Sequence, residues 1–189
     1  MGGVKEQTAG LHAKLLSEKG FIALAFDAAH QGKSRGKPRG LEDPTQRAED
    51  VRIAVTYMTT LEEVDPERIG ALGVYASGGY VSCAAQTDVR IKAVATLSRA
   101  DVGLLFREAA LNENLKKAGA ARTAEAKGEK VERQPIVPDN PVSIPDTVPV
   151  LFREGSDYYR TPRAQHPRDP NRCPVRSLDL IANYSYYAL

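Results

Sequence analysis

The run Gly73-Val74-Tyr75-Ala76-Ser77-Gly78-Gly79 has the residue types and spacing to do chemistry. Small residues between an apolar run and a helix-forming stretch fit a sharp strand-to-helix turn of the G-x-S-x-G kind. Such a turn presents a nucleophile for acyl transfer, and the amide after it helps hold the oxyanion. Aligned on Gly73, the nucleophile position falls on Tyr75, the oxyanion donor on Ala76 and the second small position on Ser77. A phenol, with an ordinary pKa of about 10, is a poor acyl acceptor at neutral pH. A second frame makes Ser77 the nucleophile and Gly79 the trailing glycine. Tyr75 would then fill the leading small position, which a sharp turn resists, so Ser77 reads better as the small residue that lets helix and strand approach.

Other reactive residues read as structural. His12 falls on a helix surface, His30 in a polar loop and His166 in a Pro- and Arg-rich segment. None is paired by motif with a nucleophile, which needs a base within hydrogen-bond reach. Asp27 ends an apolar run and reads as structural. Cys83 and Cys173 form no CxxC pair, and no His or Cys cluster has zinc-ligand spacing, so two free thiols and no metal are expected. The glycines do not give G-x-G-x-x-G, and Gly32-Lys33-Ser34 lacks the upstream glycine of a phosphate loop, so no nucleotide cofactor is expected.

The elements that position the turn follow from the apolar pattern. Residues 4–19 carry Leu11, Leu15 and Leu16 on one helical face, and Gly20 suits the stop. Residues 21–26 (FIALAF) read as a strand buried on both faces. Residues 27–40 are polar and Gly-rich, hence a loop. Asp43 and Pro44 make an N-cap and first-turn pair for a helix bearing Ala48, Val51, Val55 and Met58. Residues 69–75 and 91–97 read as strands on either side of a short helix through Val81, Ala84 and Ala85. Helix and strand alternate, which predicts α/β architecture with a parallel sheet flanked by helices. Ligands of such sheets bind beyond the carboxyl ends of the strands, where the Tyr75 turn falls.

The second half has a different character. Residues 101–130 are Ala-, Glu- and Lys-rich and helical; residues 134–149 hold five prolines and read as an extended loop; residues 151–163 suit a short helix. Tyr158, Tyr159, Tyr184, Tyr186 and Tyr187 read as packing anchors. A boundary near 103 therefore divides an α/β core segment, 1–103, from a helical and Pro-rich cap-like region, 104–189.

Composition limits the classes further. The 189 residues carry 26 Lys and Arg against 24 Asp and Glu, a net charge of +2, with 42% hydrophobic residues. That is globular, and it lacks the basic stripe of a nucleic-acid binder. No apolar run approaches the roughly 18 residues that a membrane span needs, and no signal peptide opens the sequence, so a cytoplasmic chain without membrane or nucleic-acid partners is expected.

Several segments together resemble the α/β-hydrolase superfamily, in its dienelactone-hydrolase-like group. They are GGVKEQTAG (from Gly2), FDAAHQGKS (from Phe26), DPERIGALGVYASGGY (from Asp65), RIKAVATLSRAD (from Arg90) and YYRTPRAQHPRDPNRCPVRSLDLIANY (from Tyr158). The resemblance implies a partial α/β-hydrolase fold and an ancestry among ester, lactone and thioester hydrolases. It places Gly2 and Gly3 in the oxyanion loop, Ala76 as the second oxyanion donor and Tyr75 at the nucleophile position, where relatives carry Ser or Cys. It also implies a fold cut short at both ends: the strand before Gly2, and the later strands bearing the acid and the histidine, have no counterpart here. The expectation is a hydrolase-family chain with little or no activity on a small acyl substrate. The alternative is a non-catalytic binding protein that forms homo-oligomers through exposed sheet edges.

Overall fold

The computed structural model describes residues 2–185. Tyr186 and Tyr187, two of the expected anchors, lie outside the described residues. The chain is mixed α/β and divides into two compact units. One comprises Glu42–Lys130 and the chain from Val175; the other comprises Gly2–Leu41 and Val131–Pro174. Each unit draws on both sides of residue 103.

The first unit holds the parallel sheet. Helix α2, Pro44–Met58, starts where Asp43 accepts hydrogen bonds from the amides of Thr45 and Gln46, with proline in the first turn. A single 3-10 turn, Pro66–Arg68, leads into β1, Gly70–Val74. Helix α3, Ala76–Thr87, follows after one residue, and β2, Ala93–Leu97, pairs with β1 in parallel from Gly70↔Ala93 to Val74↔Leu97. Val55 of α2, Ala84 of α3, Ile69 and Ile91 form one buried cluster, joined by Val51 and Met58. The α2 face expected from the sequence is thus the face that packs.

Two helices cover the 101–130 stretch, α4 (Val102–Glu108) and α5 (Leu111–Ala126). A short C-terminal helix, α7 (Ser177–Ala182), docks against both. Ile181 and Tyr184 pack with Ala76, Tyr80 and Val102, while Leu178 and Val175 pack with Ala118 and Ala121. Arg107 ties the segment down by donating to the carbonyls of Ala182 (2.8 Å) and Tyr184 (2.7 Å).

The second unit holds α1 (Thr8–Ser17), α6 (Val150–Arg160) and an antiparallel pair of three-residue strands, β3 (Arg133–Pro135) and β4 (Arg172–Pro174). The expected strand at 21–26 does not form: among the described residues the ladders are β1–β2 and β3–β4. Phe21 and Ile22 are 62% and 52% exposed, so that run is not buried on both faces. A strand exists only where a partner supplies hydrogen bonds, and an apolar run does not encode its partner. The strand expected at 91–97 forms over Ala93–Leu97, and all five of its residues are exposed.

Candidate functional site

The joint between β1 and α3 is a single residue, Tyr75, with φ 55° and ψ −115°. Positive φ is uncommon for a residue with a side chain, and a bulky one there stores strain. Three backbone hydrogen bonds hold it. The Tyr75 amide donates to the Leu97 carbonyl (2.8 Å), and its own carbonyl accepts from Gly78 (3.0 Å) and Ala100 (3.2 Å). Chain reversal here is so tight that a Cβ on Gly73 would sit 2.3 Å from the Ser77 carbonyl oxygen. Gly78 has a similar reason: a Cβ there would lie 3.1 Å from the Cα of Arg99.

The turn separates the candidates by role. Tyr75 takes the strained position and packs half-buried beside Ala76, Tyr80 and Val102. Burial pushes its phenol pKa up. Ala76 is the first residue of α3 and is buried; an amide in a first helical turn has no acceptor within the helix. Ser77 is the next residue of α3, exposed and helical. Gly2 and Gly3 belong to the second unit, both with positive φ (65° and 87°). A Cβ on Gly2 would strike Ile136 at 2.8 Å.

The three histidines also belong to the second unit and are engaged locally. His12 Nδ1 lies 2.8 Å from the Thr8 carbonyl, His30 Nδ1 lies 3.1 Å from that of Pro38, and His166 Nδ1 accepts from the Arg168 amide. Asp27 braces its loop: it accepts from the Lys5 amide (2.8 Å), the Lys5 ammonium (3.0 Å) and the Lys33 amide (2.9 Å). Burial pushes its carboxyl up, but these donors outweigh it and hold the pKa below the ordinary value. Cys83 and Cys173 are free thiols. Among the described residues, no group of three or more His, Cys, Asp or Glu could hold a metal ion, and no helix is long and apolar enough to cross a membrane.

Two features of the first unit escaped the sequence reading. Asp101 follows β2 and is buried; its Oδ1 caps α4 through the Leu104 amide (2.9 Å), while Oδ2 has no hydrogen-bond partner. Its place at the carboxyl end of a strand was the available signal. The other is a buried network on α3. Tyr80 donates to Glu42 Oε1 (3.0 Å), and Arg47 grips both oxygens of Glu42 at 3.2 and 2.8 Å. Burial lowers the Arg47 pKa and Glu42 raises it, with the net shift upward; burial chiefly drives the Tyr80 phenol well above its usual value.

A parallel pair, a strained one-residue joint and a helix leading away from it define an α/β-hydrolase-like arrangement. Comparison with known proteins supports that class. An α/β hydrolase, GrgF from Penicillium, has the same fold with a TM-score of 0.77 at 24% identity, covering 97% of this chain and 61% of that one. The crystal structure of a hypothetical protein, PA2218 from Pseudomonas aeruginosa, superposes with a TM-score of 0.88 at 31% identity, over 97% of this chain and 60% of that one. An uncharacterized protein of Escherichia coli K12, YcjY, is 43% identical over 98% of this chain and 62% of its own length. An acyltransferase of Aspergillus calidoustus, drtE, is 36% identical over 66% of this chain and 40% of its own. A thiohydrolase of Aspergillus aculeatus, aneE, is 36% identical over 48% of this chain and 29% of its own. The chain is thus related to hydrolase- and acyltransferase-named proteins, and it spans less than two thirds of the length of each. No family model matches it.

Proposed function

We propose that the chain is a hydrolase-like acyl-site scaffold whose nucleophile position, Tyr75, carries a group that does not attack. The observation that carries this reading is the strained backbone of Tyr75 between β1 and α3. At such a joint a serine or cysteine would attack an ester, lactone or thioester carbonyl, and the Ala76 amide would hold the oxyanion. A phenol is nucleophilic as its anion; at an ordinary pKa of about 10 it is neutral at physiological pH, and burial pushes the Tyr75 phenol further in that direction. The dienelactone-hydrolase-like grouping rests on the segments that resemble it.

Two measurements test this. Turnover of a short-chain p-nitrophenyl ester by the natural chain is expected at background. In Tyr75→Cys, the Sγ–C(acyl) bond forms, the C–O bond to nitrophenolate breaks and the thiol proton passes to solvent. One acyl group per chain should then map to residue 75, with Cys83 and Cys173 as internal controls. Robust turnover by the natural chain that disappears in Ser77→Ala would make Ser77 the nucleophile and overturn the proposal.

A second reading, assembly through sheet edges, draws on β2, whose five residues are all exposed. Sedimentation at micromolar concentration decides it: a dimer or larger species supports assembly, and a monomer removes it.

A further inference from the structure

We infer that the loop between Gln31 and Arg39 is a side-chain binding site for a compact polyphosphate. The loop alternates. Its inward-facing groups are tied down: Gln31 donates to the Leu41 carbonyl (3.1 Å) and Ser34 to the Asp27 carbonyl (2.5 Å). The Arg39 guanidinium donates to the carbonyls of Gly32 (2.7 Å), Ser34 (2.5 Å) and Gly36 (3.3 Å). The His30 amide donates to the Arg35 carbonyl (2.7 Å) and that of Gly40 to the His30 carbonyl (2.7 Å). Gly32 and Gly36 pack so closely that a Cβ would meet the Asp27 carboxylate at 2.3 Å and the His30 ring at 2.7 Å.

The outward-facing residues are Lys33, Arg35 and Lys37, all exposed. Among the described residues none of the three forms an ion pair, whereas most arginines of this unit do (Arg153, Arg160, Arg163, Arg168 and Arg172). The carboxylate beneath the loop, Asp27, is already taken by Lys5 and by the Lys33 amide. The three residues fall within five positions, their Cα atoms no more than roughly 14 Å apart at full extension, and like charges without partners on one short loop favour an anion that reaches them together. The tied-down backbone fixes where the three side chains start, so less ordering of the loop is left to binding.

The chemistry of the cluster narrows its ligand. Several adjacent negative charges match three cations better than one carboxylate does. No aromatic residue lies between Gln31 and Arg39 to stack a base, and the net charge of +2 provides no long track for a duplex. The Lys33 amide is spent on Asp27, so recognition runs through side chains and not through a backbone phosphate cradle. The site is independent of the Tyr75 reading.

Calorimetric titration of the whole chain with tripolyphosphate, ATP, coenzyme A and sulfate tests it. Tripolyphosphate should bind tighter than sulfate and weaken with added salt. Each exposed cation contributes about two- to fivefold. Lys33→Gln/Arg35→Gln/Lys37→Gln should therefore lose at least about tenfold in affinity, and Lys127→Gln/Lys130→Gln less than about twofold. Binding of ATP or coenzyme A tighter than tripolyphosphate would assign the phosphates to a nucleotide, and equal binding to free polyphosphate; both support the site. Equal loss in the two variants, or tripolyphosphate no tighter than sulfate, overturns it. Duplex DNA or anionic vesicles captured more tightly than tripolyphosphate through the same three residues overturn the compact ligand. If the triple variant unfolds, the three single variants, each weaker by about two- to fivefold, carry the same test.

Discussion

At the residue scale, the charged groups that matter are those that cannot be replaced by water. Glu42 is 1% exposed, and its contacts with Tyr80 and Arg47 differ in kind. Removing the Tyr80 hydroxyl leaves the Glu42–Arg47 pair intact, so Tyr80→Phe should cost about 1 kcal/mol, the low end for a lost buried hydrogen bond. Arg47→Met takes the countercharge from a buried carboxylate and should cost about 3–5 kcal/mol. Urea unfolding of both variants checks the order; equal losses would mean that charge pairing does not dominate. Asp27 gives a pH prediction. Its folded pKa lies below the unfolded value near 4, so its contribution is present above about pH 4 and is lost as pH falls through the folded pKa. Asp27→Asn should lower the urea midpoint at pH 7 and flatten its decline between pH 5 and pH 2. An acid limb as steep as that of the natural chain would refute the brace. None of the Glu42 network was legible in the sequence, where nothing ties Glu42 to a tyrosine 38 positions on. Asp101 was hidden similarly, because a helix cap explains one of its oxygens and only the fold shows the other without a partner.

At the element scale, the β1–α3 joint was legible because its cause is local. Glycine at position 73 is required by the Ser77 carbonyl four residues on, and such short-range demands leave a spacing pattern. Gly73→Ala should therefore destabilise by more than the usual overpacking cost of about 1–3 kcal/mol, since backbone must move. A thermal midpoint within about 2 °C of the natural chain's would show the joint to be looser than the structure has it. The Asp43–Pro44 start of α2 was legible for the same reason: the capping carboxylate and the amides that donate to it lie within three residues. The 21–26 run failed because strand formation is settled by a partner elsewhere in the chain. β3 and β4 failed from the opposite cause: three residues in Pro-rich surroundings have too little pattern to register, and their pairing joins positions 133 and 174.

At the scale of the whole molecule, the sheet sets the open question. The parallel pair β1–β2 has two strands, and the chain spans 62% of the length of YcjY and 60% of the PA2218 chain. In parallel pairing a strand turns alternate amides toward its neighbour and the others away. Every residue of β2 is exposed, so in a monomer its outward amides meet water while those facing β1 are protected. Hydrogen exchange of the natural chain at micromolar concentration should therefore show two classes within β2, protected and fast, alternating along the strand. If the fast class becomes protected as concentration rises, copies of the chain pair through this edge, in agreement with a dimer by sedimentation. If both classes are protected even at the lowest concentration, where sedimentation gives a monomer, β2 is covered within the chain, and the two-stranded sheet is the wrong description. Alternation that persists at all concentrations would leave β2 a solvated edge and remove the assembly reading, while the Tyr75 scaffold proposal would stand on its acylation test alone.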